Sequence, residues 1–347
     1  MVGPDGALPL PWLERVLRET LRSQHAHALL LHGPQGVGQF ELAITLSQAW
    51  LCECDQVASR PCGHCASCKL VQARSHPDLL VLIPEIMQPD LGWGAGDDEA
   101  TTERANKAKP SQEIKVEAVR RAVAFAQITS GRGHGKVVVL HPAERMNGIS
   151  ANTLLKTLEE PAGAARFVLS CAAPDALLPT IRSRCQSVAL GLPPSEQATA
   201  WLAAQGVANA AVMLAAAGGQ PQEALAWSQQ GIDAALWARL PSLVAQGMSQ
   251  ALLTWPLPRV VDALQKLCHD SACVACGAAP RYFPAASIAH GADPAALARW
   301  TVELLRIARH AEHPWSAGLV IESLVQQGQR ALAGPAPKRG VSVHSRA

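Results

Sequence analysis

The residues with the clearest chemical potential are cysteines that recur at two-residue spacings. Cys62, Cys65 and Cys68 form a Cys-x-x-Cys-x-x-Cys run, and Cys52 lies upstream, directly after a helical pattern. Tetrahedral Zn²⁺ prefers four soft ligands, and closely spaced cysteines are typical of such sites. The spacing therefore predicts a zinc site formed by Cys52, Cys62, Cys65 and Cys68. Four thiolates leave no open coordination position, which indicates a structural ion rather than a catalytic one.

Several alternatives to this site stay open at the level of sequence. Cys54 or His64 can replace Cys52 as the fourth ligand, because both lie in the same segment. An iron–sulfur cluster uses similar runs, but the Cys-Pro partner that usually follows is missing here. Reduced thiols without a metal are the remaining alternative. A second, weaker group lies in an Ala-rich helical pattern and is predicted to consist of small buried thiols: Cys268, Cys273 and Cys276.

A glycine-rich segment lies between an apolar run and a helical pattern, where a phosphate-binding loop belongs. Gly33, Gly36 and Gly38 would let the backbone wrap around phosphate oxygens, with N–H groups of the next helix as donors. A functional loop continues with Lys and then Ser or Thr, whereas this chain continues with Gln39 and Phe40. We therefore expect no ATP at this loop. A plain strand-to-helix turn is the alternative interpretation.

The third apolar run ends without the acidic residues that an ATPase needs. In such enzymes a carboxylate at this point binds Mg²⁺, and further residues orient the attacking water. Here Leu140 is followed by His141 and Pro142. Two separate motifs have thus lost their charged side chains, which predicts a nucleotide-binding scaffold that no longer hydrolyses ATP and has no catalysis of its own.

Short apolar strands that alternate with helices must position these motifs. Strands are predicted at residues 27–32, 78–84, 136–141 and 166–171, and helices at about 37–51, 113–129 and 150–160. This alternation favours a parallel sheet covered by helices on both faces. From about residue 193 onward the pattern is rich in Ala and Leu and is helical only.

Length and composition fit a protein of several domains. The chain has 347 residues, enough for two or three domains. The predicted divisions are an α/β domain over 1–191 with a zinc module at about 52–70 and a flexible insert at about 85–110, a small helical domain over 192–233, an all-helical domain over 234–333, and a disordered tail over 334–347.

Charge and hydropathy exclude some classes of function. Thirty Lys+Arg against 28 Asp+Glu leave a formal charge of +2, which is too balanced to indicate nucleic-acid binding by itself. The apolar runs are too short for a membrane span, and no secretory signal is visible. We expect a cytoplasmic protein without a membrane partner, in which the ten cysteines are thiols or metal ligands rather than disulfides.

Two further segments carry a resemblance to a known family. Residues 152–161 read Asn-Thr-Leu-Leu-Lys-Thr-Leu-Glu-Glu-Pro, and residues 181–185 read Ile-Arg-Ser-Arg-Cys. Together with the degenerate loop and the cysteine insert, they make the chain resemble the bacterial DNA polymerase III clamp loader, most closely its delta prime subunits. The resemblance covers about residues 10–190 and agrees with the remainder in layout only. It implies an AAA+ α/β domain followed by a helical lid and an all-helical collar.

The resemblance also implies roles for individual residues. The gamma and tau motor subunits keep the loop lysine, the strand-terminal acids and a nucleotide-sensing arginine. At the position that corresponds to this arginine, the present chain has Gln222. Delta prime is therefore favoured over a motor subunit. In this family the arginine of Ser-Arg-Cys projects into the neighbouring subunit's ATP site, and by carry-over this residue is Arg184. A buried salt bridge that holds the region after the fourth strand is the alternative for Arg184.

The partners implied are gamma/tau and delta subunits in a hetero-pentameric ring, with the sliding clamp contacted indirectly and primed DNA inside the ring. Four basic residues are candidates for sequence-independent phosphate contacts, although a solvated helix face explains them equally well: Lys115, Arg120, Arg121 and Lys156. The competing functions are an active ATPase motor subunit and a free-standing zinc module that binds nucleic acid.

Overall fold

The computed structural model describes residues 1–23, 26–93, 110–310 and 316–333. The chain divides into two compact units, one from Met1 to Trp201 and one from Leu202 onward. The first unit extends beyond the boundary predicted at residue 191 because Trp201 packs edge-on against Trp12, with ring centroids 5.4 Å apart. Among the helices of the described residues, none has the length and apolar content that crossing a bilayer requires.

The first unit is built on a sheet of five parallel strands, which confirms the predicted sheet. The strands are β1 Ala28–His32, β2 Leu79–Leu82, β3 Val137–Leu140, β4 Arg166–Cys171 and β5 Gln186–Ala189. Their order across the sheet is β2-β3-β4-β1-β5. Parallel strands end at one edge of a sheet, and this edge is where such sheets usually bind ligands. The loops after β1, β3 and β4 therefore come together there.

Alternate strand residues enter two separate hydrophobic cores, one on each face of the sheet. Leu29, Leu31 and Val139 belong to the first core, whereas Leu30 and Val138 belong to the second. Each of these side chains is at most 2% exposed. Burial on both faces explains why the strands appear in the sequence as continuous apolar runs rather than as alternating patterns.

Helices cover both faces of the sheet. Leu13–Ser23 and Gln39–Leu51 contribute side chains to the first core, and Val116–Gln127 and Gly148–Glu159 contribute to the second. Among the described residues of this unit, the remaining α-helices are Ala66–Gln72, Gln88–Leu91 and Pro179–Arg182, with Ser195–Ala204 at the unit boundary. Three of the long helices match the sequence prediction, whereas the first helix and β5 are found only in the structure.

Residues 85–93 differ from the prediction of a flexible insert over 85–110. Glu85–Met87 forms a 3₁₀ turn, and a single α-helical turn follows it. Trp93 is only 7% exposed and belongs to the first core. This apolar anchor orders a segment whose glycine and acidic content otherwise indicates a loop. The remainder of the insert, 94–109, and the tail predicted at 334–347 lie outside the described residues.

The second unit is helical in its described residues. Its further α-helices are Ala210–Ala216, Pro221–Gln229, Ala234–Ala245, Leu257–Ala275, Pro294–Ala308 and Ala317–Leu332. Trp227, from the predicted lid, packs against Trp237, from the predicted collar, with ring centroids 5.2 Å apart. Because these buried rings share a core, both regions lie in one compact unit. Their division into a lid and a collar stays a prediction.

Candidate nucleotide loop, metal centre and interface arginine

The loop Gly33–Gly38 joins β1 to the helix Gln39–Leu51. Gly36 and Gly38 have φ angles of 73° and 105°, in the region that favours glycine. A Cβ on Gly33 would lie 2.2 Å from the carbonyl oxygen of Leu190, so a side chain does not fit there. The backbone thus keeps the strand, glycine loop and helix that a phosphate site requires.

The side chain of Gln39 closes this loop from within. Gln39 is 5% exposed, and its Nε2 donates hydrogen bonds to the carbonyl oxygens of Gly33 at 2.7 Å and Pro34 at 2.6 Å. A lysine at this position would direct a positive charge at the β- and γ-phosphates. The amide of Gln39 carries no charge, and its two N–H donors are used by the carbonyls of the loop itself.

Phe40 and His141 lie where the metal-binding residues of an ATPase would be expected. Their ring centroids are 4.9 Å apart, and Nδ1 of His141 lies 2.9 Å from the hydroxyl oxygen of Ser170 on β4. Burial lowers the pKa of His141 to about 4, so its imidazole is neutral at pH 7. A neutral ring in contact with a phenyl group supplies no carboxylate oxygen, which is the ligand that Mg²⁺ prefers.

The His141→Gln variant tests whether burial lowers the pKa of His141, through the pH dependence of stability. Because the folded chain holds His141 neutral, with a pKa of about 4, the unfolded chain binds its proton more readily. We expect the free energy of unfolding to fall as pH decreases from about 6.5 to about 4, by a total of about 3 kcal/mol. Glutamine does not titrate, so the variant should lose this component. Chemical denaturation of both proteins at several pH values measures the free energy of unfolding. If it depended on pH identically in both proteins, the prediction would be wrong.

The cysteines predicted as zinc ligands lie together in the structure. The Sγ atoms of Cys52, Cys62, Cys65 and Cys68 are all within 4.8 Å of one another. Two of the separations are 3.9 Å, between Cys52 and Cys65, and 4.0 Å, between Cys62 and Cys68. Thiolates at ~2.3 Å from a tetrahedral zinc are about 3.8 Å apart. The cluster therefore has the size of a four-thiolate metal site.

The local backbone directs these thiols toward one point. Cys52 caps the C-terminus of the helix that follows the loop, and Cys65 is the N-cap of the helix Ala66–Gln72. The backbone N–H of Cys65 donates to the sulfur of Cys62, and that of Cys68 donates to the sulfur of Cys65, each at 3.4 Å. Such donors stabilise sulfur atoms that carry negative charge, as metal-bound thiolates do.

Cys54 and His64, the alternative ligands, lie outside this group. Nδ1 of His64 lies 2.8 Å from the carbonyl oxygen of Cys62. Burial raises the pKa of both Cys52 and Cys68. Burial acts in the same direction on Cys62, but backbone N–H groups and neighbouring thiols outweigh it and lower the pKa of Cys62 to about 6. A bound cation is what would keep the buried Cys52 and Cys68 deprotonated at pH 7.

Arg184 lies at the surface of the first unit with its guanidinium held at several points. Its Nε donates to Oε1 of Glu159 at 2.6 Å, its Nη2 contacts the same oxygen, and its Nη1 donates to the carbonyl oxygen of Thr180 at 2.9 Å. The Arg184 side chain is 31% exposed, so this ion pair is only partly buried. Arg182 has a separate partner, Asp175, at 2.5 Å.

The basic residues predicted to face DNA lie in different environments. Lys115 precedes the helix Val116–Gln127 and pairs with Glu85, with 2.5 Å between Nζ and Oε1. Its charge is therefore partly compensated within the chain. Arg120, Arg121 and Lys156 are exposed, as is Lys115, and a contact with phosphates stays a prediction for all four.

The second cysteine group is less buried than predicted. Cys268 is 2% exposed, as expected, but Cys273 is half-buried and Cys276 is exposed. Cys276 caps the C-terminus of the helix Leu257–Ala275, where the chain turns toward solvent, which explains its exposure. All three residues line a cavity of about 680 Å³ in the second unit.

Comparison with known proteins relates the chain to one family. A family model described as DNA polymerase III, delta subunit, matches residues 11–193. The DNA polymerase III subunit delta' of Pseudomonas aeruginosa is 39% identical over 215 residues, which are 61% of this chain and 58% of that protein. The subunit delta' of Escherichia coli K12 is 31% identical over 278 residues, 74% of this chain and 76% of that protein. The subunit tau of Escherichia coli K12 is 30% identical over 159 residues, 46% of this chain and 20% of that protein.

The matched region includes the degenerate loop, the four clustered cysteines and Arg184. It covers more than half of the chain, while the alignment spans little more than half of the Pseudomonas protein and about three quarters of the Escherichia coli protein. The chain therefore belongs to the delta prime family of DNA polymerase III clamp-loader subunits.

Proposed function

We propose that the chain is a clamp-loader subunit that does not hydrolyse ATP and acts as a rigid stator in an AAA+ ring. The observation that carries this proposal is that the side chains of Gln39 and Phe40 make contacts within the chain at the positions where an ATPase would bind phosphate and Mg²⁺. Gln39 is bonded to loop carbonyls, and Phe40 packs on a neutral His141. The position of the loop lysine thus carries no charge, and no carboxylate follows β3 directly. The site lacks the groups that would bind Mg·ATP and activate water.

The subunit instead contributes to hydrolysis in its neighbour through Arg184. An arginine supplied in trans stabilises the charge that develops on the transferred γ-phosphoryl group. The partial exposure of the Arg184 side chain supports this role, because a residue that acts across an interface must be accessible at the surface. Its guanidinium is planar and always charged, and its fork geometry suits phosphate oxygens.

The four clustered cysteines hold a structural Zn²⁺. The fit of the Sγ separations to a tetrahedral site supports this assignment over reduced thiols. Zinc would join the end of the loop helix, at Cys52, to the following segment, around Cys65. With four protein ligands it leaves no position for a reacting water, so its contribution is to folding.

The partners of this function are gamma/tau and delta subunits, which form a hetero-pentameric ring in the cytoplasm with the helical second unit in the collar. The ring loads the sliding clamp onto primed DNA during replication. Lys115, Arg120, Arg121 and Lys156 would contact phosphates inside the ring. Such contacts are independent of sequence and weaken with salt.

A comparison of the isolated chain with the reconstituted complex tests the proposal. We expect no ATP turnover by the purified chain with Mg²⁺, and a clamp- and DNA-stimulated ATPase in the complex that depends on this chain. Turnover by the isolated chain that disappears in a Gln39→Ala variant would instead identify an active ATPase. Tight DNA binding by the isolated chain at physiological salt would identify a free-standing nucleic-acid-binding protein.

A further inference from the structure

We infer that Glu159 is a positioning residue for Arg184, a role that rests on the proposed function of Arg184 in the neighbouring ATP site. Glu159 is the last residue of the helix Gly148–Glu159, which packs into the second core. Its carboxylate is therefore anchored on a rigid element. Arg184 lies in the irregular segment between the helical turn Pro179–Arg182 and β5.

The contacts of Arg184 fix the guanidinium in one orientation. Nε and Nη2 share one carboxylate oxygen of Glu159, and Nη1 bonds to the carbonyl oxygen of Thr180 at 2.9 Å. All three nitrogens are thus held, from two different elements of the fold. A long side chain that is already held in one orientation loses less conformational freedom when it binds a ligand.

The orientation leaves the donors that a phosphate needs. A guanidinium has five N–H groups, and the contacts with Glu159 and Thr180 use one on each nitrogen. One further N–H is therefore left on each of Nη1 and Nη2. On Nη1, this N–H makes a 3.4 Å contact with the Ser183 hydroxyl, which is long enough for a phosphate oxygen to displace it. Two adjacent donors are the number used in a bidentate contact with phosphate.

The exposure of the pair indicates orientation rather than stability. The Arg184 and Glu159 side chains are 31% and 46% exposed. Ion pairs in contact with solvent contribute little to folding stability. We therefore expect a Glu159→Ala variant to fold and to assemble like the wild type, while the guanidinium loses its fixed direction.

The test uses the reconstituted complex and the rate of ATP hydrolysis at the site that receives Arg184. We expect Glu159→Ala to lower kcat about tenfold with KM for ATP unchanged, because misplacement of a charge affects the transition state more than binding. Glu159→Gln should keep most of the activity, since its amide oxygen still accepts from Nε. Glu160→Ala is the matched control at the adjacent exposed position and should leave the rate unchanged.

Two further outcomes separate this inference from the proposed function. If Arg184→Ala also leaves the rate unchanged, the proposed function itself is wrong. If Arg184→Ala lowers the rate but Glu159→Ala leaves it unchanged or raises it, only the positioning role is wrong. In the Arg184→Ala background, Glu159→Ala should cause no additional loss, and an additive loss would contradict action through Arg184.

Discussion

Replacing Arg184 by alanine is expected to slow ATP hydrolysis at the neighbouring subunit's site by about 10³-fold, while the complex still assembles. The guanidinium stabilises charge that is present in the transition state and largely absent from the ground state, so kcat should fall more than ATP affinity. Single-turnover hydrolysis measures this loss, in complexes where the other motor subunits carry a substituted loop lysine. Size-exclusion chromatography establishes that the ring has formed.

Arg182→Ala is the matched control for this prediction. Arg182 lies two residues away, has the same charge, and pairs with Asp175 instead of Glu159. It should leave hydrolysis close to the wild-type rate. Arg184→Lys keeps the charge but loses the fork geometry, and an intermediate rate is expected. Normal hydrolysis by the alanine variant would show that the ion pair with Glu159 has a structural role only.

Replacing Cys62 by serine is expected to release the metal and to unfold the segment around residues 52–72. The wild-type chain should contain about one Zn²⁺, and the variant should contain none, because removal of one thiolate breaks the closed ligand set. Structural zinc of this type contributes on the order of 10 kcal/mol to local folding. Metal analysis by mass spectrometry gives the stoichiometry, and limited proteolysis reports the loss of structure.

Cys54→Ser is the control for the metal prediction. Cys54 lies two residues after Cys52 but outside the cluster, so the variant should retain its zinc and its protease resistance. Iron in the wild-type protein, or no metal at all, would contradict the zinc assignment. Loss of metal from the Cys54→Ser variant as well would mean that the ligand set differs from the four clustered cysteines.

The sheet and the cysteine cluster were accessible from sequence because both depend on local patterns. Strands buried on both faces give continuous apolar runs, as in Val137–Leu140, and metal ligands on a tight turn repeat at short spacings. Strand β5 gives no such signal. It lies at the edge of the sheet, and within Gln186–Ala189 only Val188 is buried.

Other features depend on contacts that sequence spacing does not encode. The pairing of Glu159 with Arg184 joins two segments that are 25 residues apart, and the fold alone brings them together. The first helix does have a helical pattern, since the buried Leu13 and Leu17 are four residues apart. It lies next to no glycine loop or cysteine run that would mark its position. The hydrogen bonds from Gln39 to the carbonyl oxygens of Gly33 and Pro34 likewise depend on the folded backbone of the loop and cannot be predicted from spacing.

The two hydrogen bonds of Gln39 also bear on how readily substitutions could convert the proposed stator into an ATPase. A lysine restored there alone would place a positive charge at a site that is 5% exposed, with a neutral His141 at the end of β3. A serine restored at Phe40 alone would leave a void beside His141. Each substitution on its own is thus expected to cost stability without conferring hydrolysis, so an active site would require several simultaneous substitutions.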